Sequence, residues 1–396
     1  MPRRRFLRRA LAAGALVANL TAARLDSLAR AGADSPLRAA IIGHTGRGDF
    51  GHELDLVFNG HPGIELTAVA DPVAAGRAKA AARSRAPRQY ADYREMLEKE
   101  RPRLVAVGLR HTDQHHAILS AVLKSGAHVL VEKPFAQTLD EADDLLALAR
   151  QAGLRIAVAH QARLSPSIQH LLRGLEAGLI GPLVQVRSWG KQDSRAGGED
   201  MIVLGTHLFD LIRLFAGDAA WCTAQLRYRN REASRADIRT PTENIGPVLG
   251  DEIEAQFAMA NGIRATFTSS GRLRQTLGPW GLTLVGEKGM VRILMDIAPR
   301  IFVLKPGAWE AAGATEAWQA LPGDPLADTP ADDRGFPAAN RRVLDDWLQA
   351  IAMQREPVCS GTAGMKAIEL AMGVFEAGLR GGRVAFPLAN RHHPLR

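Results

Sequence analysis

Two stretches of the chain hold side chains that could move protons. Glu132 and Lys133 directly follow the apolar run VLV at 129–131, and His207 stands in the segment LGTHLFDL at 204–211. Burial can lower the pKa of a lysine towards neutrality, and a histidine titrates near neutral pH without any shift. Both residue types can therefore exchange a proton with a substrate hydroxyl. On spacing alone, a solvated lysine turn is an equal alternative, and a packed core histidine is the commoner one.

A glycine-rich segment near the start of the chain could hold a nucleotide. The sequence GRGDFG at 46–51 is a literal G-x-G-x-x-G that follows an apolar run, and a helix is predicted to begin there. Glycines let the turn be tight and let backbone N–H groups reach a pyrophosphate at the helix N-terminus. A glycine-rich loop without a ligand is the alternative. The residues predicted to hold a dinucleotide are Gly43, Thr45, Gly46, Arg47, Gly48, Gly51, Asp71, Glu132 and Lys133.

Asp71 indicates which dinucleotide to expect. It ends the second apolar run, 20 residues after Gly51, where a carboxylate can bind the hydroxyls of the adenosine ribose. The same carboxylate would repel a 2′-phosphate, so we expect NAD. Arg47 and Arg77 are close enough in the sequence to leave NADP open. A cationic nicotinamide beside Lys133 would further disfavour the protonated lysine.

The first half of the chain alternates strand and helix patterns, which predicts an α/β domain with a doubly wound parallel sheet, the Rossmann fold. In such a sheet the ligand crevice lies beyond the carboxyl ends of the strands, where Lys133 would project. The predicted strands are 37–43, 64–70, 104–108, 129–131 and 156–159, and the predicted helices include 91–99, 115–124 and 139–151.

The second half predicts an α+β domain whose open, mostly antiparallel sheet carries helices on one face, because its strands alternate apolar and polar residues. Two segments, 229–249 and 305–337, are predicted to be surface loops. The expected division is a leader at 1–33, an NAD(P)-binding domain at 34–160 and a substrate or oligomerisation domain at 161–396. The closing helices, 340–354 and 362–379, could pack back on the first domain.

The first 33 residues have the layout of an export signal. A basic start, RRRFLR at 3–8, precedes an alanine-rich apolar stretch and the small residues at 31–33. The basic motif resembles the twin-arginine consensus, which directs folded proteins to the periplasm. An uncleaved anchor or a disordered basic tail is the alternative. We expect no membrane association once the leader is removed.

The net charge of the chain does not point to nucleic acid. Six of the eight net positive charges belong to the first 30 residues, which leaves the body of the protein nearly neutral. Only three tyrosines are available as stacking platforms, so nucleic acid is not an expected partner. The two cysteines, Cys222 and Cys359, lack any metal-ligand spacing, and we expect no metal site.

The stretch HVLVEKP at 128–134 resembles the signature of the Gfo/Idh/MocA family, which takes its name from glucose-fructose oxidoreductase, inositol dehydrogenase and rhizopine-catabolism proteins. The resemblance extends over nearly the whole chain, through the motifs GRGDFG, ADP at 70–72, LGTHLFDL, LVGEKGMVRI at 284–293 and GGRVAFPL at 381–388. It implies a nicotinamide-dependent oxidoreductase.

The resemblance also implies roles for single residues. Lys133 would orient the substrate, Glu132 would support its turn, and His207 would take the proton of a sugar hydroxyl as hydride leaves the same carbon. Many members carry an aspartate four residues before this histidine, where this chain has Val203. We therefore expect either Asp200 or Asp210 to take its place as the partner of His207.

A polar loop before this histidine is the predicted sugar-binding segment. It combines an aromatic ring with charged side chains, a mixture that suits stacking on a sugar and hydrogen bonding to it, although an ordinary solvated loop is equally compatible. Its candidate substrate residues are Trp189, Lys191, Asp193 and Arg195.

These features predict an enzyme that transfers hydride to or from a sugar, polyol or sugar derivative. Because an exported enzyme meets no recycled pool of NAD, we expect the cofactor to be tightly bound. The alternatives are a glycoside hydrolase or lyase that oxidises its sugar transiently and a non-catalytic carbohydrate-binding protein. The open sheet needs a cover on its outer face, which favours a dimer or tetramer.

Overall fold

A computed structural model describes residues 35–273, 280–304 and 318–396. The predicted export signal and part of the predicted loop at 305–337 lie outside the described residues. The described chain forms two sheets, one of six strands and one of ten, and helices cover both.

The first sheet confirms the predicted doubly wound fold. All its pairings are parallel, and its order, β3-β2-β1-β4-β5-β6, is that of a dinucleotide-binding sheet. Its apolar strands are buried on both faces, as a parallel sheet between helices requires. The strands are β1 (Leu37–Ile42), β2 (Ile64–Ala70), β3 (Arg88–Tyr90), β4 (Leu104–Val107), β5 (His128–Val131) and β6 (Ile156–Val158).

The prediction that a helix begins at the glycine-rich segment is wrong. Residues 45–60 form turns, and the only regular element among them is a 3-10 turn at Leu54–Leu56. Asp49, His52 and Glu53 have φ values of 54°, 48° and 61°, which are left-handed and interrupt any right-handed helix. The helices of this half are α1 (Ala74–Ser84), α2 (Tyr93–Glu100), α3 (His115–Lys124) and α4 (Leu139–Gln151).

The second sheet is mixed and mostly antiparallel, as expected. Its main path runs β15-β14-β13-β12-β7-β11-β10-β8-β16, with β9 beside β8, and only the pairing of β7 with β11 is parallel. Along β10, for example, Ile253, Ala255 and Phe257 are buried while Glu254 and Gln256 are exposed. The strands are β7 (Leu183–Trp189), β8 (Ala219–Tyr228), β9 (Arg231–Glu232), β10 (Glu252–Met259), β11 (Arg264–Ser270), β12 (Gly281–Gly286), β13 (Gly289–Leu294), β14 (Arg300–Leu304), β15 (Trp318–Ala320) and β16 (Val384–Ala385).

Five helices complete the described fold, and two of them join the sheets. α9 packs on β8, whereas Val343, Leu344 and Trp347 of α8 belong to the core beneath β1 and β2. The closing part of the chain thus returns to the first sheet. The helices are α5 (Pro166–Glu176), α6 (Gly198–Val203), α7 (Gly205–Ala216), α8 (Phe336–Met353) and α9 (Gly361–Arg380).

The segment 229–249 is more than the predicted surface loop. The carbonyl oxygen of Asn244 accepts hydrogen bonds from Thr112 Oγ1 at 3.3 Å and from the backbone N–H of Asp113 at 3.2 Å. Buried Glu199 accepts from Arg239 at 3.0 Å and from the N–H of Thr242 at 2.8 Å. The bonds of Asn244 hold the segment against the first sheet's domain and those of Glu199 hold it against α6, a long-range effect that local composition does not reveal.

Buried histidines should make the fold sensitive to acid. Burial, aided by nearby arginines, lowers the pKa of His128 to about 4, and its Nδ1 accepts the backbone N–H of Arg155 at 2.9 Å. Because the unfolded chain binds protons below about pH 6.5 while this ring stays neutral, the stability present above that pH is lost as the pH falls towards 4.

Between pH 7 and pH 4 the free energy of unfolding should fall in both proteins. We expect it to fall by about 3 kcal/mol less in His128→Gln than in the wild type. Urea unfolding at several pH values measures this, with His116→Gln on the surface as the control. An unchanged pH dependence in His128→Gln would contradict the assignment.

Candidate functional site

A cavity of about 400 Å³, the first cavity, opens at the carboxyl ends of β1 and β2. Its walls include Gly43 and Asp71 from the strand ends, together with Tyr93 of α2 and Ile118 of α3. The sheet order reverses between β1 and β4, and doubly wound sheets bind ligands beside that reversal. The first cavity therefore lies where a nucleotide would be bound.

Asp71 is fully buried at the edge of this cavity. Its Oδ2 accepts hydrogen bonds from the backbone N–H of Thr45 at 2.9 Å and from the Thr45 hydroxyl at 2.7 Å, and Oδ1 accepts from the N–H of Val73 at 2.8 Å. The carboxylate is thus fixed beside the glycine-rich loop. An acceptor-only group in this position can bind ribose hydroxyls and disfavours a phosphate.

Gly76 of α1 permits this arrangement, because a Cβ at Gly76 would lie 1.6 Å from Thr45 Oγ1. We expect Gly76→Ala to displace Thr45 and weaken NAD binding by about 10- to 100-fold, since a disturbed buried hydrogen bond costs roughly 1–3 kcal/mol. Calorimetric titration measures the affinity. Gly382→Ala, whose Cβ would meet nothing within 4 Å, is the control. Unchanged affinity in Gly76→Ala would contradict this account.

The three motif glycines have different functions in the structure. A Cβ on Gly48 would lie 2.5 Å from the backbone nitrogen of Arg110, and one on Gly51 would lie 2.8 Å from the carbonyl oxygen of Gly108. Close packing against the loop after β4 therefore requires both. Gly46 instead is exposed, with φ 84° and nothing within 4 Å of its Cβ position, so it leaves room for a ligand.

Side-chain nitrogens around this loop fit a dinucleotide. Arg47 Nε, Arg110 Nε and His111 Nδ1 are buried and have no hydrogen-bond partner, although Arg47 also pairs with Asp113 through another nitrogen. Buried unpaired nitrogens are unfavourable, and the oxygens of a pyrophosphate would satisfy them. The two arginines could supply the positive charge that the predicted helix N-terminus does not provide, while burial lowers the pKa of His111, so its neutral ring could only donate a hydrogen bond.

A second cavity, of about 180 Å³, brings Lys133 and His207 together. Lys133 arrives from the carboxyl end of β5, and His207 from the first turn of α7. Lys191 and Trp280 of the second domain also line this cavity. The structure therefore places the two predicted proton-transfer residues in one concave site.

Lys133 is 3% exposed, and its Nζ donates a hydrogen bond to the carbonyl oxygen of Val203 at 2.9 Å. The residue that stands in place of the family aspartate thus contributes its backbone to the site. Burial lowers the pKa of Lys133, although the charges of Glu132 and Glu243 oppose the shift. An ammonium has three donors, so two remain for other partners.

The pKa of His207 lies well below its ordinary value. Burial is the main cause, and the charges of Lys133, His160 and His52 act in the same direction. The ring centroid lies 5.5 Å from that of His160 and 6.0 Å from that of Trp280. His207 is therefore neutral near pH 7 and can accept a proton.

Neither predicted carboxylate pairs directly with His207. Both oxygens of Asp210 accept from Arg163 Nε, at 2.8 and 2.7 Å, and Oδ1 lies 3.6 Å from His160 Nδ1. Asp210 stands three residues after His207 on α7, a spacing that allows two side chains to share one helix face. Its carboxylate instead binds the guanidinium of Arg163, which offers a charge-assisted hydrogen bond. Asp210 can reach His207 only through the ring of His160.

Asp200 is turned away from His207 as well. Its Oδ2 accepts from Ser269 Oγ at 2.6 Å and from the backbone N–H of Gln192 at 3.0 Å. The helical path is broken at Leu204, between α6 and α7, so Asp200 is not on one continuous helix with His207. Asp200 instead fixes the start of the polar loop.

The polar loop contributes one side chain to the second cavity. Of its four candidate substrate residues, only Lys191 lines that cavity. Arg195 pairs with Asp193 at 2.5 Å and with Glu243 at 3.4 Å, so its charge is already compensated. Trp189 lies in β7, opposite Thr268 and Gly281 of the neighbouring strands. The pair with Glu243 joins residues 48 positions apart, a contact that the loop's composition does not indicate.

The sequence analysis missed several residues of the second cavity. His52, Gln161 and Trp280 line it, and His160 packs directly behind His207. His52 directly follows the glycine motif, which is a signal that could have been used. Gln161 and Trp280 follow no motif and reach the site only through the packing of the two domains.

The fold and the two cavities define a class: a Rossmann domain with a nucleotide crevice, joined to a mixed-sheet domain that completes a second pocket. Two sequence models of one family match the chain, the NAD-binding Rossmann fold over residues 37–160 and the C-terminal alpha/beta domain over residues 178–386. The chain belongs to the Gfo/Idh/MocA oxidoreductase family, and it is an oxidoreductase of the nicotinamide-dependent type.

Several curated relatives are sugar dehydrogenases. The UDP-N-acetylglucosamine 3-dehydrogenase of Acidithiobacillus ferrooxidans is 25% identical over 66% of this chain and 75% of its own length. The D-apiose dehydrogenase of Paraburkholderia graminis is 24% identical over 72% of both proteins. A solved levoglucosan dehydrogenase, in complex with NADH and levoglucosan, shares the fold with a TM-score of 0.72 and 19% identity, over 89% of this chain and all of its own.

Among the described residues, no group of three or more His, Cys, Asp or Glu side chains is arranged to hold a metal ion. Within the same part of the chain, no helix combines the length and apolar character needed to cross a membrane. Cys222 and Cys359 are both free thiols and buried.

Proposed function

We propose that this protein oxidises or reduces a sugar, polyol or sugar derivative with NAD. The observation that carries the proposal is the shared cavity of Lys133 and His207 at the carboxyl end of β5. The relatives that are dehydrogenases of UDP-N-acetylglucosamine, D-apiose and levoglucosan support a carbohydrate substrate.

The side chains of the second cavity fit this reaction. A bound nicotinamide would accept hydride from a carbinol carbon or return it. His207, neutral because of its lowered pKa, takes the proton of the hydroxyl on that carbon. Lys133, fixed by Val203, donates a hydrogen bond to the same oxygen and holds the substrate in place.

The proposed cofactor is NAD, held tightly. Asp71 beside the first cavity disfavours a 2′-phosphate. The unpaired nitrogens of Arg47, Arg110 and His111 could bind the pyrophosphate with several charge-assisted hydrogen bonds. Tight retention would let the enzyme work where free NAD is not regenerated.

Denaturing the purified protein and identifying the released nucleotide by absorbance and mass spectrometry tests the cofactor. We expect near-stoichiometric NAD. The substrate class is then tested by following absorbance at 340 nm with a panel of sugars, polyols and glycosides. A protein that is empty and binds neither NAD nor NADP would refute the proposal.

A second candidate function is redox-neutral cleavage of a glycoside. Transient oxidation of a sugar carbon acidifies the neighbouring C–H, which allows elimination of the glycosidic substituent, addition of water and re-reduction. The observation in its favour is that no carboxylate of the described residues pairs directly with His207, unlike the family pattern, while another histidine lines the same cavity. Release of aglycone without accumulation of NADH distinguishes this reaction from dehydrogenation.

We also propose that the leader exports the folded protein to the periplasm by the twin-arginine route and that the mature protein forms a dimer or tetramer. The basic motif and the small residues at 31–33 support export, and the open second sheet supports association. Fractionation with sequencing of the mature N-terminus tests the first point, and light scattering tests the second. A cytoplasmic protein with an intact leader and a monomer at micromolar concentration are the contrary results.

A further inference from the structure

His52 supplies a second imidazole to the cavity of Lys133 and His207. It directly follows the glycine loop, with φ 48°, a left-handed conformation that non-glycine residues rarely adopt. Its side chain is 26% exposed, and its ring lies on Phe336 with the centroids 4.8 Å apart. Asn340 Nδ2 donates to its carbonyl oxygen at 2.8 Å. The fold thus maintains an unfavourable backbone conformation at a residue that lines the cavity, as is common at functional sites.

A buried carboxylate orients this imidazole. Glu132 is 0% exposed, and its Oε1 lies 2.6 Å from His52 Nδ1, while Oε2 accepts the backbone N–H of Lys133 at 2.9 Å. Burial alone would raise the pKa of Glu132, but the charge and hydrogen bond of His52 and the charge of Lys133 outweigh it and lower that pKa. An ionised carboxylate only accepts hydrogen bonds, so Nδ1 of His52 carries a proton in this pair, and in the neutral form of the ring the lone pair of Nε2 is available to accept a proton.

The two histidines of the cavity differ in whether a carboxylate is bonded to the imidazole ring. His52 has a carboxylate on its ring, whereas the described carboxylates nearest to His207 on α6 and α7 bind other partners. The two rings are close enough that the charge of His52 lowers the pKa of His207. Oxidation of one carbinol releases one hydride and one proton, so it needs only one base. His52, oriented by a carboxylate, would be a second base in the same cavity, which points to proton transfer at another substrate atom.

We propose that His52 is a second catalytic acid/base residue that removes a proton from the carbon next to the oxidised carbon, and that Glu132 is its positioning residue. This inference rests on the proposed function, oxidation of a sugar in the same cavity. Nε2 takes the proton, the electron pair of the C–H bond moves to form the enolate, and the new carbonyl oxygen carries the negative charge. Lys133 can donate a hydrogen bond to that oxygen. Return of the proton to carbon restores the carbonyl compound, and return of the hydride to its carbon and of a proton to its oxygen restores the sugar, so no further oxidant is required.

Hydrogen exchange with solvent tests the step. The full protein is incubated in D₂O with NAD and the sugar that reduces it, and the recovered sugar is analysed by mass spectrometry and NMR. We expect deuterium at the carbon next to the oxidised one. His52→Gln, whose amide can still donate to Glu132, should lower the exchange rate by about 10²-fold, the low end for a positioned acid or base, and lower it by a larger factor than the initial burst of NADH.

The outcomes separate this inference from the function on which it rests. Formation of NADH without exchange in the wild type overturns the role of His52 alone. Equal loss of burst and exchange in His52→Gln also overturns it, because a structural role would affect both. Failure of every sugar to reduce the nucleotide overturns the proposed function and this role with it. His116→Gln, which alters an exposed histidine–aspartate pair, is the matched control and should exchange at the wild-type rate.

The orientation of the ring is measured without substrate. In protein labelled with ¹⁵N-histidine, we expect an imidazole with its proton on Nδ1 and a free Nε2, and its signals should vanish in His52→Gln. Glu132→Ala, which removes the acceptor of Nδ1–H, should release the ring from this tautomer. A proton on Nε2 of His52 in the wild type would overturn the proposal.

Discussion

Replacement of Lys133 by methionine should lower turnover of the responding sugar by roughly 10²- to 10⁴-fold, the contribution of a positioned proton-transfer group. The substitution keeps the apolar stem but removes the ammonium that donates to Val203 and faces the second cavity. Loss of a buried charge also removes its desolvation cost, so we expect the fold to tolerate it. Steady-state formation of NADH measures the change.

Lys99→Met is the control for Lys133→Met. Lys99 is 60% exposed, pairs with Glu95 on the surface and lines neither cavity, so its loss should leave turnover within about twofold. Binding of NAD should persist in Lys133→Met, because the first cavity is separate. Wild-type turnover in this variant would show that Lys133 has no part in the reaction.

Replacement of Asp210 by asparagine should lower the free energy of unfolding by about 3–5 kcal/mol, the usual cost of breaking a buried ion pair. Asp210 is 1% exposed and accepts both bonds from Arg163 Nε. The neutral amide would leave the guanidinium, 12% exposed on its side chain, without a counter-charge. Urea unfolding monitored by fluorescence measures the change.

A surface pair of the same kind provides the comparison for Asp210→Asn. Asp218 pairs with Arg213 at 2.6 Å but is 59% exposed, and Asp218→Asn should cost about 0–1 kcal/mol. Burial lowers the pKa of His160, which lies behind His207, and the charge of Asp210 opposes that shift. A loss in Asp210→Asn no larger than that in Asp218→Asn would contradict the account of the buried pair.

The sequence by itself determined the two-domain architecture and most element positions. Apolar runs of a parallel sheet and the helical periodicity between them are local signals, and the predicted helices 115–124 and 139–151 match α3 and α4. It also indicated Lys133, because a motif after a buried strand must lie at the carboxyl edge of the sheet.

Only the tertiary structure decided which side chains of the site pair with one another. Asp210 binds Arg163, and within the described part of the chain His207 receives no carboxylate, because the break at Leu204 and the position of Arg163 depend on long-range packing. The turns after Gly46 depend on the loop at Arg110, which excludes a Cβ from Gly48. His52 meets Glu132 across 80 residues of chain. Contacts between distant segments are set by the packing of both domains, and periodicity along the chain carries no information about them.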